Sequence, residues 1–199
     1  MGIPRREIEK VMKLKGHING MGFLEDKKII LEKLGEEAVR KMEKNISEAS
    51  GEDFSYSKFK SFTMYPLYFS VLTTLSLKYD FGFSNKELKE FGENGAKVSL
   101  LVKLFLRNFV SLKQVSEQAE RIWRKYFDVG KLTVENFDEK ERHMVIKITE
   151  FDIHPIYCIQ IEGVIHQLLS YIIRSGNLKV EEVECTFRDG KSHKFKITW

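Results

Sequence analysis

Two cysteines and five histidines are the side chains of this 199-residue chain best suited to hold a metal. Local sequence brings one pair of them together. Cys185 and His193 flank Arg188-Asp189-Gly190. A two-residue turn at Asp189-Gly190 would pair Val183 with Lys196 and mix apolar with charged positions. A three-residue turn with Gly190 left-handed pairs Val183 with Phe195, Glu182 with Lys196 and Glu184 with Lys194. One face is then apolar and the other carries two cross-strand ion pairs, and a one-residue slip would exchange the faces. This register sets Cys185 opposite His193. Cys158 and His166 on the preceding helix could approach the same sheet, and four such ligands would suit zinc. The spacing is far from the usual zinc patterns. Cys185 therefore reads as a small hydrophobe beside a hydrogen-bonded imidazole. No metal is expected, Cys185 and His193 being the weak candidates for one. Glu162 and His166, four apart, read as a helix-surface pair.

Other motifs carry less. Gly190-Lys191-Ser192 resembles the end of a phosphate loop, but the earlier glycine would fall at Cys185 and the segment is a hairpin. Gly20-x-Gly22 follows no strand. G-x-S-x-G, H-E-x-x-H and C-x-x-C are all missing from the sequence, and no catalytic constellation emerges.

Aromatic rings give the stronger signal. The chain holds 15 Phe, 7 Tyr and 2 Trp. Phe54, Tyr56, Phe59, Phe62, Tyr65, Tyr68, Phe69, Tyr79, Phe81 and Phe83 crowd into one stretch, far above the even share. Rings dominate cores, but they also line pockets for apolar ligands. The expected pocket is built from Phe62, Tyr65, Tyr68, Phe69 and Leu72, from Leu101, Phe105 and Phe109, and from Trp123 and Phe127.

The elements that must position these residues follow from periodicity. Helices are expected over 5–14, 24–33, 35–45, 67–79 and 98–110, with a Gly-rich link at 16–22 and a polar loop at 47–53. Ser84 with Glu87 and Ser111 with Gln114 read as capping boxes opening two more helices. At Gly130 the period changes from 3.6 to 2. Strands near 132–135 and 144–148 form a hairpin, a long helix follows Pro155 and ends near Gly176, and strands at 180–187 and 194–198 close the chain. The fold class is α+β: an N-terminal helical layer packed on a four-stranded antiparallel sheet of strand-strand-helix-strand-strand order. A single domain over 1–199 is expected, with a basic helix at 1–15, a helical part at 16–128 and a sheet-plus-helix part at 129–199.

The net charge is +4, but Arg5, Arg6, Lys10, Lys13 and Lys15 against Glu7 and Glu9 put most of it on the N-terminal stub. A nucleic-acid reader places its field on the folded domain, so no nucleic-acid partner is expected. The N-terminus lacks a signal-peptide core. Residues 156–173, the longest apolar stretch, include Gln160, Glu162, His166 and Gln167, so no transmembrane segment is expected and the cytoplasm is the expected location. That helix is apolar on more than one face. One face must cover the sheet; the other meets the N-terminal helices or a second subunit, and a homodimer is expected by base rate.

Four segments recur together: K-G-H at 15–17, Y-P-L at 65–67, W-R-K-Y-F-D-V-G-K-L at 123–132, and the ending V-E-E-V-E-C-T-F-R-D-G-K-S-H-K-F-K-I-T-W. With them the chain resembles an uncharacterised bacterial family related to vinyl-4-reductase-type ligand-binding domains and, more distantly, to heme-NO-binding (H-NOX) domains; TRAPP-type tethering subunits share that general fold. The resemblance covers nearly the whole chain after residue 15. Where vinyl-4-reductase-type domains place a second Cys two residues before an aromatic, this chain has His193 before Phe195. The resemblance implies a pocket between helical layer and sheet and a role in sensing or carrying small apolar molecules, often as a dimer or fused to a signalling module. It does not carry heme with it. Heme-binding relatives use an axial His on the helix before the sheet, and residues 92–127 contain none. Their Y-x-S-x-R propionate motif is also missing. A non-enzymatic binding domain without heme or other cofactor is the expectation, with a dimeric interaction or scaffold protein as the alternative.

Overall fold

The computed structural model describes residues 2–99, 102 and 111–199. Most of the helix expected over 98–110 lies outside these, as do Leu101, Phe105 and Phe109. The chain opens with α1 (Arg5–Val11), which buries Val11. The link expected at 16–22 instead holds a short strand, β1 (His17–Asn19), pairing antiparallel with β2 (Met64–Pro66). Three-residue strands are too short to leave a period-2 signal.

The helices expected at 24–33 and 35–45 are two arms of one element, α2 (Gly20–Ser50), bent at Gly35 (φ 84, ψ 176). Only glycine adopts that conformation without strain. The second arm runs into the first half of the expected polar loop, ending at Ser50 before left-handed Gly51, because Ser47 and Ser50 turn their hydroxyls back onto the Glu43 and Ile46 carbonyls, each at 2.8 Å, rather than breaking the helix. α3 (Leu67–Asp80) is buried nearly all round. α4 (Asn85–Val98) starts at the expected capping box: the Glu87 amide donates to Ser84 Oγ, and the Ser84 amide donates to Glu87 Oε2 at 2.8 Å. α5 (Leu112–Tyr126) is capped by Ser111, which accepts from the Gln114 amide.

β3 (Lys131–Asp138), β4 (His143–Thr149), α6 (Pro155–Ser170), β5 (Lys179–Glu184) and β6 (His193–Thr198) complete the α+β plan. The four strands form an antiparallel sheet in the order β3-β4-β6-β5. Its inner face buries Leu132, Met144, Ile146, Ile148, Phe195 and Ile197 against the helices. No helix among the described residues is long and apolar enough to cross a membrane.

The β5–β6 hairpin corrects the expected register. Glu184 does face Lys194, and their side chains pair at 2.8 Å. Phe195, however, faces Glu182 rather than Val183, and Lys196 faces Glu181 rather than Glu182. A bulge at Val183 makes the shift and leaves that side chain 56% exposed. The left-handed residue is Asp189 (φ 60), not Gly190, after a 3-10 turn at Thr186–Arg188. A bulge spends one residue without a partner and re-aims its neighbours; here it turns Glu182 towards the buried imidazole of His193.

α6 meets α4 through two glycines. A Cβ on Gly163 would lie 2.0 Å from the Lys89 carbonyl oxygen, and one on Gly92 would lie 2.1 Å from that of Gln160. The second apolar face of α6 is thus occupied within one chain. Glu162 and His166 do not pair with each other: Glu162 binds Lys89 and His166 binds Glu93, both on α4. Gly163→Ala is expected to lower stability to urea by about 3 kcal/mol, since backbone must move to admit the methyl. Gly95→Ala, where a Cβ meets nothing within 4 Å, should instead raise it by up to about 1 kcal/mol.

Candidate functional site

α2, α4, α5, α6 and the sheet enclose a cavity of about 180 Å³. Its walls are apolar: Ala96 from α4, Ile122 and Trp123 from α5, Ile146 from β4, Ile161 and Ile165 from α6. Trp123 and Phe127 stack with centroids 4.4 Å apart. They are held where α5 ends on β1. His17 Nδ1 meets Asp128 Oδ2 at 2.7 Å, Asn19 Nδ2 donates to the Lys125 carbonyl, and Trp123 Nε1 donates to the Val129 carbonyl at 2.9 Å. The 15–17, 65–67 and 123–132 segments therefore meet in space: β1 also pairs with β2, and the Leu67 amide donates to the Gly16 carbonyl.

One side of the cavity is polar. Glu25 and Asp26 reach it from the first arm of α2, beside Ser70, Ser99, Tyr126, Tyr157 and Gln160. The Tyr157 and Ser70 hydroxyls bond at 3.0 Å, Tyr126 bonds Ser99, and Thr74 Oγ1 donates to Gln160 Oε1 at 2.8 Å. Burial pushes the Glu25 carboxyl up to about 7, against which a Ser99 hydrogen bond pulls only partly. Burial, with Glu25 as neighbour, pushes Asp26 well above the usual carboxylate range. Both shifts follow from removing a charge from water, with no cation beside it among the described residues.

A second cluster lies between α6 and the β5–β6 end of the sheet. Cys158 of α6, Glu182 of β5, Cys185 and His193 offer ligand atoms all within 4.8 Å of one another. Cys158, Cys185 and His193 are buried. His193 Nδ1 stands 3.5 Å from Cys158 Sγ and 3.1 Å from Glu182 Oε1. Tetrahedral zinc, with ligand bonds of about 2.0–2.3 Å, needs its donors roughly this far apart. The outer contacts suit the same purpose: Thr186 Oγ1 holds the other ring nitrogen of His193 at 3.0 Å, and Arg188 Nη2 donates to Glu182 Oε2 at 2.6 Å. Partners of this kind fix ligand orientation in metal sites. Two thiolates and a carboxylate around a dication leave one negative charge, which Arg188 offsets. Without an ion, burial and then the charges of Glu182 and Cys185 push the Cys158 thiol far up.

Ring contacts join the two places. Phe151 packs on Trp123 at 4.8 Å and on Phe127 at 5.4 Å, and its other side meets His193 at 6.5 Å.

Among the residues expected to form a pocket, Trp123 and Phe127 line the cavity. Tyr65 and Phe69 pack in a separate ring cluster around Phe23 and Phe59, whose rings stack at 4.0 Å. Leu72 is fully buried in the core, Tyr68 bonds Glu52 at 2.6 Å, and Phe62 is 67% exposed with φ 64. The crowding at 54–69 closes a core around the first arm of α2. Of the sequence's metal candidates, Cys158 joins Cys185 and His193, while His166 points to α4. Glu25, Asp26 and Glu182 were missed. Asp26 had a signal: it stands three after Phe23 and four before Ile30, inside the apolar stripe of α2. Glu182 had none, because the bulge that turns it inward leaves no mark in the alternation.

No protein-family model matches the chain, nor does any curated protein. Solved structures do. An H-NOX protein from S. oneidensis in the Fe(II) ligation state, a triple mutant, matches with a TM-score of 0.68 at 9% identity, over 91% of this chain and 95% of that one. An Fe(II) unliganded H-NOX mutant from K. algicida matches with a TM-score of 0.64 at 16% identity, over 91% and 96%. An oxygen-binding H-NOX domain related to soluble guanylate cyclases matches with a TM-score of 0.61 at 13% identity, over 90% and 91%. The chain has the fold of these domains.

Proposed function

We propose that this chain is a non-enzymatic sensory or carrier domain that binds a small, mainly apolar molecule in the cavity under Trp123 and Phe127, without heme, and that zinc at Cys158, Glu182, Cys185 and His193 fastens its terminal hairpin. The observation that carries the reading is the cavity itself. About 180 Å³ of space stays open inside an otherwise packed interior, where voids larger than a water are few. The fold likeness supports it, because sensing by a ligand held between helices and sheet is what the vinyl-4-reductase-type and H-NOX resemblance implies.

Heme does not fit this site. The cavity is smaller than the roughly 300–1,000 Å³ typical of drug-sized ligands. None of its described lining residues is His or Cys, and its polar side offers carboxyls where propionates would need cations. Pairing of two copies is compatible with the reading but does not rest on α6, whose apolar faces are covered within one chain.

Native mass spectrometry of freshly purified protein, with and without added indole, tests the reading. One small adduct per chain is expected; a chain that takes up nothing overturns it. Mixing the same protein with hemin should give no sharp, stoichiometric Soret band, and a clear one would remove the no-heme half of the proposal.

A further inference from the structure

The two carboxyls on the polar side of the cavity have no work to do for the fold. Asp26 is 7% exposed, and no described residue hydrogen-bonds its side chain. Glu25 Oε1 is buried without a partner. The hydroxyls beside them bond one another, Tyr157 with Ser70 and Tyr126 with Ser99; Ser99 also reaches Glu25, but Oε1 still has no partner. No Lys, Arg or His is among the described residues that line the cavity. Buried polar groups are nearly always satisfied, so each exception calls for a missing partner. Glu25 Oε1 is such an exception, and the buried Asp26 beside it faces the same void.

Resting on the reading of this cavity as the ligand site, we propose that its ligand is a small organic amine, an apolar body carrying one ammonium that donates to Asp26 and Glu25. An ammonium brings three donors and no acceptor, and its charge favours the ionised form of both carboxyls, which only accepts. Its charge balances theirs in a largely apolar setting, and charge-assisted bonds of this kind are about twice as strong as neutral ones. An alcohol or phenol brings one donor. An anion meets two like charges. The apolar body lies against Ile122, Trp123, Ile161 and Ile165, which have nothing to offer a second polar group.

The test compares four probes of one shape by titration calorimetry at about pH 8, where Glu25, pushed up to about 7, is mostly ionised. 2-Phenylethylamine should bind at least about tenfold more tightly than 2-phenylethanol or propylbenzene, with phenylacetate weakest; tenfold corresponds to about 1.4 kcal/mol. Asp26→Asn and Glu25→Gln should each erase most of that preference while leaving propylbenzene affinity in place. Both replacements remove a buried charge, and a cooperative unfolding transition of either one suffices to read the result. If propylbenzene or the alcohol binds as well as the amine, the amine assignment falls and the cavity remains a ligand site. If the preference survives in both variants, the carboxyls are not its source and the assignment falls. If no probe binds, the assignment and the ligand-site reading fall together.

Discussion

Removing zinc with a chelator lowers the stability of the zinc-loaded protein by about 4 kcal/mol when free zinc stands at roughly a thousand times its dissociation constant. Cys185→Ser produces the same loss, and a chelator then has no further effect. The expectation follows from what the four ligands connect. Cys158 belongs to α6, Glu182 to β5, Cys185 to the turn and His193 to β6. An ion held by all four ties the edge hairpin to the helix that walls the cavity. It also removes the unfavourable state of the apo cluster, in which burial and neighbouring negative charge push the Cys158 thiol up; coordination takes the thiol as thiolate. Cobalt in place of zinc gives a direct readout through its thiolate charge-transfer absorption. Equal denaturation midpoints for loaded and chelated protein, with no cobalt–thiolate band, would mean that the cluster holds no metal.

Glu25→Gln stabilises the protein at high pH and not at low pH. Burial pushes the native carboxyl up to about 7 from the ordinary value of 4.5. The folded state therefore keeps its proton to higher pH than the unfolded chain does. Its contribution is fully present below about pH 4.5 and is lost as pH rises to 7. At about 1.36 kcal/mol per unit, the loss above pH 7 is about 3 kcal/mol. Glutamine keeps the shape and has no charge to bury. Wild type and variant should unfold at similar urea concentrations near pH 4.5, and the variant should withstand more urea near pH 8. Asp26, raised for the same reason, pushes wild-type stability in the same direction, which is why the comparison is a difference between two proteins. Parallel pH profiles would show that Glu25 is solvated in the native state.

Much of this architecture is written locally. The Ser84 capping box, the change of period at Gly130 and the alternation of Met144, Ile146 and Ile148 place α4, β3 and β4 without tertiary information. The long-range features are where legibility ends. Crowded rings signal that apolar surface will be buried, but not whether it closes on itself. Phe59 stacks on Phe23, thirty-six residues earlier in the chain, and that pairing turns an expected pocket wall into packed core. Trp123 and Phe127 face the cavity because His17 and Asn19 fix the end of α5, an antiparallel bridge between distant segments that no periodicity encodes. The candidate zinc cluster was half legible. Hairpin logic brought Cys185 and His193 near each other, but a bulge at Val183 supplied Glu182 and helix packing supplied Cys158. A histidine in the second cysteine position is no loss to such a site, since imidazole and thiolate both bind zinc. Asp26 shows in sequence only as a polar residue inside the apolar stripe of α2, and Glu25 shows nothing; the course of α2 against α5 and α6 puts both at the cavity.

These pieces form one arrangement. The Cys158–Glu182–Cys185–His193 cluster brings α6 and β6 together, Phe151 packs between His193 and the Trp123–Phe127 pair, and the rings roof a void whose polar side is set by α2. The void is the centre of the account. Gly95 lines it, and a Cβ there meets nothing within 4 Å, so Gly95→Leu is expected to fill the space while favouring the helix. Titration calorimetry of indole against wild type and Gly95→Leu is the most direct measurement. The account predicts saturable one-to-one binding by wild type and an affinity at least about tenfold weaker in a variant that is no less stable. No binding by wild type, or the same affinity in both, would contradict it.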